Sequence, residues 1–367
     1  MNLDIVIFGL SITSSWGNGH AATYRALTQA LFERGHKVTF LERNVAWYRE
    51  NRDLFSTDYC RIELYDGLPE AAGRFAGLVS SADLVMLGSY VPDGQILADW
   101  ITSHARGVTS FYDIDTPVTL AALERGQASY ISAALIPRFD LYLSFTGGPT
   151  LDLIESRYGS PRARELYCAT SLPARVPTST APHWTLGYLG TYSADRQPSL
   201  ETLLVGVARD LPGERFVVAG AQYPQQIKWP ANVDRIEHLP QPDHTDFYGS
   251  QRYTMNITRE AMRSAGYSPS IRLFEAAAAG TPIITDEWSG LETFFAPGKE
   301  ILVANNGRDV FHILTELPED RRLEIAAAAR QRLLRSHTPQ HRAGQLENYY
   351  QEALRERSVK DRLEVVA

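Results

Sequence analysis

Short apolar runs rich in Ile, Val, Leu and Phe alternate along this chain with longer stretches of helical period. Asp4–Leu10 is the first run, and a polar glycine loop, Ser14–His20, follows it. Thr23–Arg34 then carries apolar positions at helical spacing and stops at Gly35, a residue suited to the left-handed turn that ends many helices. Lys37–Leu41 (KVTFL), Leu84–Gly88 (LVMLG), Thr109–Tyr112 and Leu141–Phe145 (LYLSF) read as further buried strands. Strands separated by helices predict a parallel sheet covered on both faces.

Three prolines with Ser and Thr in Ser171–His183 form a stiff polar connector, and the domain boundary is expected there. The pattern then repeats. Thr185–Leu189, Arg215–Ala219, Tyr253–Ile257, Thr281–Thr285 and Lys299–Val303 read as strands. Ser270–Ala279 reads as a helix closed by Gly280, and Thr338 followed by Pro339 starts a last helix running towards Arg357. The expected division is residues 1–176, 184–336 and a C-terminal helix in 337–367.

Composition narrows the function classes. A chain of 367 residues with 44% hydrophobic and 22% charged residues is an ordinary globular balance, long enough for two cores. No apolar run reaches the roughly 18 residues that span a bilayer. MNLDIVIFGL lacks a basic start and reads as a strand rather than a signal peptide. Only Cys60 and Cys168 occur, far apart, which suits a reducing cytoplasm and gives no metal-ligand spacing. A net charge of −7 disfavours general binding of phosphate backbones, while a local basic groove leaves a nucleic acid open as an acceptor.

Five loop segments carry candidate chemistry. Trp16, Gly17, Asn18, Gly19 and His20 lie between a strand and a helix, where glycines let a ligand approach the backbone and the helix start favours anions. The dinucleotide fingerprint GxGxxG is absent, because Ala22 stands at its last glycine, so a nicotinamide dehydrogenase is the least supported class. Asp113 and Asp115 follow a strand and are suited to sugar hydroxyls, a metal or a proton; either also suits a helix cap. His20, with an unperturbed pKa of about 6.5, is suited to take a proton at neutral pH. Phe145–Pro149 reads as a structural turn. Gly190, Thr191 and Arg196 offer amide, hydroxyl and guanidinium donors to a phosphate. In Gly266–Pro282, Ser268 and Ser270 stand at a helix start, and Glu275, one to two turns in, is placed to accept both hydroxyls of a ribose.

Together these segments resemble the glycosyltransferases with two Rossmann-like domains, the GT-B architecture, and within them the group that includes the spore-maturation protein CgeB. Asn256–Phe295 carries most of the likeness, with Ser14–Arg25 and Asp113–Leu120 as its N-terminal counterparts. The resemblance implies an α/β fold of two doubly wound domains facing across a cleft, with the last helix returning to the first domain. It implies a nucleotide-sugar co-substrate, most often a UDP-sugar, with no cofactor and no essential metal despite the Asp113-Ile114-Asp115 spacing. By it, Glu275 binds the donor ribose, Arg196 the diphosphate, and Gly190, Thr191, Tyr267, Ser268 and Ser270 the rest of the donor. Many relatives have a glutamate near the transferred sugar where this chain has Tyr267, so the stereochemical outcome stays open. His20 and Asp115 are the acceptor-side candidates, with Trp16, Gly17, Asn18, Gly19 and Asp113 as acceptor or sugar contacts. A sugar-nucleotide 2-epimerase or a non-catalytic nucleotide-sugar sensor would use the same architecture, and the acceptor is not legible.

Overall fold

The computed structural model describes residues 1–16, 19–176 and 182–366. These form two compact α/β units. Unit one is Met1–Ala169 with Pro339–Ala367, and unit two is Thr170–Thr338.

Unit one holds seven parallel strands: β1 (Asp4–Gly9), β2 (Lys37–Arg43), β3 (Arg61–Tyr65), β4 (Leu84–Gly88), β5 (Val108–Asp113), β6 (Leu141–Ser144) and β7 (Ala163–Glu165). Their order is β3-β2-β1-β4-β5-β6-β7. The near-continuous apolar runs of β1, β4, β5 and β6 are buried on both faces, as parallel strands under helices must be. One core cluster lies on each face: Phe8, Leu87 and Phe111 point one way, Ile7, Met86 and Tyr112 the other. The last helix, Pro339–Val366, adds Ala343, Leu346 and Tyr350 to the second cluster. Its Glu347 receives Arg34 Nη2 at 2.6 Å and lies 2.8 Å from His36 Nε2.

Unit two holds six parallel strands: β8 (Trp184–Leu189), β9 (Phe216–Ala219), β10 (Val233–Ile236), β11 (Gln251–Asn256), β12 (Ile283–Thr285) and β13 (Leu302–Val303), in the order β10-β9-β8-β11-β12-β13. Each sheet reverses its direction of growth once, between β1 and β4 and between β8 and β11. Loops leaving the carboxyl ends of the strands beside such a reversal diverge and open a crevice, the usual ligand seat of doubly wound sheets. Four loops therefore matter: those after β1 and β4 in unit one, and those after β8 and β11 in unit two.

The edge strands β3, β7 and β10 were not expected from the pattern; they are short or only half-buried, so their apolar runs are weak. The observed division falls at residue 170 rather than 176. Thr170–Pro173 line a cavity of unit two, and Val176 packs against Gly280 there. Part of the expected connector, residues 177–181, lies outside the described residues.

Candidate active site

In unit two, β8 ends in Leu189, Gly190 and Thr191. A Cβ at Gly190 would stand 2.6 Å from the Tyr188 hydroxyl and 3.1 Å from Arg272 Nη1, so only glycine lets Arg272 lie across the strand end. Arg272 spans the reversal: Nε donates to Asn256 Oδ1 (3.3 Å), Nη1 to the Leu189 carbonyl (3.3 Å) and Nη2 to the Ile257 carbonyl (3.1 Å). Its guanidinium also lies over the Tyr188 ring at 5.4 Å. Arg196 donates through Nη2 to the Thr191 carbonyl at 2.7 Å, and its Nε is buried with no partner. Burial pushes the Arg196 pKa down from the usual arginine value, and the charges of Arg272 and Arg259 push the same way. Among the described residues neither Arg196 nor Arg272 forms a close ion pair with a carboxylate; their guanidinium groups bond to main-chain oxygens and Asn256. Two cations held by main-chain oxygens at one strand end make a strong seat for a doubly charged anion.

The loop after β11 leads to the helix Ile271–Ala279. Ser270 caps it, its Oγ accepting from the Arg272 amide at 3.3 Å. That oxygen lone pair is engaged; the hydroxyl hydrogen remains the donor available to a ligand. Ser268 is buried. Tyr267 adopts a left-handed backbone (φ 49°), and its amide donates to the Ser289 carbonyl at 2.6 Å. Its ring covers Gly290, where a Cβ would come within 2.4 Å of it.

Glu275 is only 8% exposed. Its Oε2 accepts from the Tyr248 hydroxyl and its Oε1 faces His244 Nδ1, both at 3.1 Å. Burial works against a charged His244, but the Glu275 carboxylate and the Leu239 carbonyl outweigh it and raise its pKa above the usual histidine value. Beside the pair lies a cavity of about 210 Å³ lined by Ser171, Gln241, His244, Tyr248, Glu275 and Ala278. Sequence reasoning missed Arg272, His244 and Tyr248. Arg272 lay within the quoted motif, but its reach to three residues of β8 and β11 and their loops is a tertiary fact.

In unit one, the loop after β1 is held by a fully buried carboxylate, Glu42, which accepts from the amides of Ile12 (2.8 Å) and Thr13 (3.0 Å). Trp16 is half-buried, Gly19 is exposed at the start of the helix Gly19–Glu33, and Gly17 and Asn18 lie outside the described residues.

Two expectations change here. Asp113 is fully buried, and it accepts from Tyr142, from Thr119 Oγ1 at 2.8 Å and from the Asp115 amide at 3.2 Å, so it supports the loop rather than touching a sugar. Burial lifts its pKa to about 6, against the lowering effect of those hydrogen bonds. His20 does not keep an ordinary pKa: burial takes it down to about 4, against the pull of the Asp115 charge, so its imidazole is neutral at pH 7 and a weak base. Asp115 is half-buried, and its Oδ2 accepts from the Tyr90 hydroxyl at 3.0 Å. Among the described residues no group of three His, Cys, Asp or Glu side chains is arranged to hold a metal ion. Among the described residues no helix is long and apolar enough to cross a membrane.

Residues 196–348 match the protein family described as glycosyl transferase-like. No curated protein sequence matches the chain. Among solved structures, sucrose-phosphate synthase from Thermosynechococcus elongatus is 15% identical, with 96% of this chain and 99% of that one covered at a TM-score of 0.69. HepE from Anabaena, in complex with UDP and glucose, is 11% identical, with 95% and 99% covered at 0.68. An alpha-glucosyltransferase in complex with UDP-glucose and DNA containing an abasic site is 13% identical, with 96% and 100% covered at 0.70. The two parallel-sheet α/β units thus have the GT-B fold of these solved glycosyltransferases, and residues 196–348 carry the match to the glycosyl transferase-like family.

Proposed function

We propose that the enzyme transfers a sugar from a UDP-sugar, with the donor on unit two and the acceptor activated by unit one. The observation that carries the reading is the pairing of two arginines that form no close ion pair among the described residues, Arg196 and Arg272, with a buried carboxylate, Glu275, one helical turn beyond Arg272. A nucleoside diphosphate presents a diol and a diphosphate, the groups these residues complement. Arg196, Arg272, the Thr191 hydroxyl and the amides at the start of Ile271–Ala279 stabilise the charge that grows on the departing diphosphate. With arginines in that role, transfer runs without a metal ion. UDP is favoured because two of the structurally similar proteins were solved with UDP or UDP-glucose.

Asp115 is the acceptor-side base in this reading. His20, neutral at pH 7, orients the acceptor by hydrogen bonding instead. The grouping with CgeB-like proteins is part of the same proposal. So is a cytoplasmic setting, which suits two buried free thiols, Cys60 and Cys168.

Thermal-shift and calorimetric titration of the full chain with UDP-, GDP- and dTDP-sugars tests the donor assignment. UDP-sugars should bind most tightly, and EDTA should leave both binding and UDP release unchanged. Equal indifference to all nucleotides would remove the donor assignment.

A further inference from the structure

The loop after β4 contains two non-glycine residues with left-handed backbone, Tyr90 (φ 62°) and Asp93 (φ 57°). Such conformations are costly for side chains with a Cβ and persist where the surroundings enforce them. Here the enforcement is visible. Ser89 donates its amide to the Tyr112 carbonyl at 3.0 Å and accepts from the Ile114 amide through Oγ at 3.0 Å. The loop after β4 is thus tied to the loop after β5, which carries Asp115.

The forced backbone aims the Tyr90 side chain across this tie. Its hydroxyl donates to Asp115 Oδ2 at 3.0 Å. One side of its ring meets His20, with centroids 5.7 Å apart, and another meets Tyr130 at 4.7 Å. Tyr130 is anchored in turn: its hydroxyl lies 2.7 Å from Thr119 Oγ1, which donates to the buried Asp113 at 2.8 Å. Thr119 has one hydrogen, so when it serves Asp113, Tyr130 must donate to Thr119. The Tyr90 ring is thus packed against His20 and the anchored Tyr130, and its hydroxyl reaches Asp115.

We propose that Tyr90, from the loop after β4, is a positioning residue for Asp115, fixing the carboxylate that activates the acceptor in the loop after β5. The inference rests on the reading of Asp115 as that base. A hydrogen bond from a held phenol restricts the carboxylate to one orientation.

The test uses the full chain and UDP-glucose, with water as the acceptor and UDP release as the readout. In Tyr90→Phe the ring contacts with His20 and Tyr130 are kept and only the hydroxyl is lost. Its kcat should fall about tenfold, the worth of one hydrogen bond to a charged group, while KM for UDP-glucose and Tm stay near wild type. Adding Tyr90→Phe to Asp115→Asn should slow release less than twofold further, because the two residues act as a unit. Wild-type kcat in Tyr90→Phe, alongside a slow Asp115→Asn, would overturn the proposal. A wild-type rate in Asp115→Asn would instead sink the reading of Asp115 as base. Crystal structures of wild type and Tyr90→Phe provide a readout independent of turnover. The Asp115 carboxylate should leave its position in the variant, and an unmoved carboxylate of unchanged order would also overturn the proposal.

Discussion

Glu275 Oε1 lies 3.1 Å from His244 Nδ1, and the two form a buried pair at the edge of a cavity in unit two. The Tyr248 hydroxyl holds the other oxygen, so the carboxylate is oriented before any ligand arrives. A diol entering there meets a carboxylate whose rotamer is already fixed, which lowers the ordering cost of binding.

Glu275→Gln keeps the volume and an acceptor for Tyr248 but removes the charge. UDP affinity should fall by about 1.5–3 kcal/mol, the range for a hydrogen bond to a charged group, as read by calorimetry. Unchanged affinity would take Glu275 out of the nucleotide site.

His244 makes stability depend on pH with a definite sign. Its folded pKa lies above the unfolded value of 6.5, so its contribution is complete below that pH and is lost as pH rises through the folded value. The groups that face it are Glu275, Asp243 and the Leu239 carbonyl. Urea unfolding of wild type and His244→Gln should differ more at acid than at alkaline pH, by about 1 kcal/mol. A gap independent of pH would show that the ring stays neutral.

Arg196 is a buried cation with an unpartnered Nε. Removing it relieves desolvation in the free protein and deprives a diphosphate of a donor. Arg196→Gln should therefore hold or raise Tm, while UDP binds at least about tenfold more weakly and uridine binds as before. An equal loss for uridine and UDP would argue against a diphosphate contact.

Asp113 titrates in the opposite sense from an ordinary ion-paired carboxylate. Its pKa rises from 3.8 to about 6, so the folded state holds the proton more tightly and stability falls as pH climbs between those values. The loss amounts to at most about 3 kcal/mol at 1.36 kcal/mol per pKa unit. Asp113→Asn presents a neutral group to Tyr142 and Thr119 and should flatten that segment of the urea-midpoint profile. An unaltered slope would place the titration elsewhere.

Gly290 adopts φ 86°, and a Cβ there would overlap the Tyr267 ring. Gly290→Ala should cost about 1–3 kcal/mol of stability from backbone strain and displace Tyr267. Because Tyr267 stands where the family resemblance puts the transferred sugar, UDP-glucose should lose more affinity than UDP. Equal losses would move Tyr267 away from the sugar.

The sequence alone determined the elements whose signals are local. The apolar runs of β1, β4 and β6 were legible because a strand buried on both faces needs a near-continuous hydrophobic segment. The Ser270 cap and the Gly280 stop of the helix bearing Glu275 were legible because capping depends on residue type within one turn. Tertiary structure decided what depends on neighbours distant in the chain. The edge strands β3, β7 and β10 exist because a neighbouring strand offers hydrogen bonds, which no local pattern announces. Arg272 became a site residue only when β8 and β11 came side by side and their strand-end oxygens fixed it. His20 was read with an ordinary pKa and Asp113 as a sugar contact, whereas burial lowers the pKa of the first and hides the second. A pKa is set by the water removed and the charges brought near, and both are properties of the packed fold.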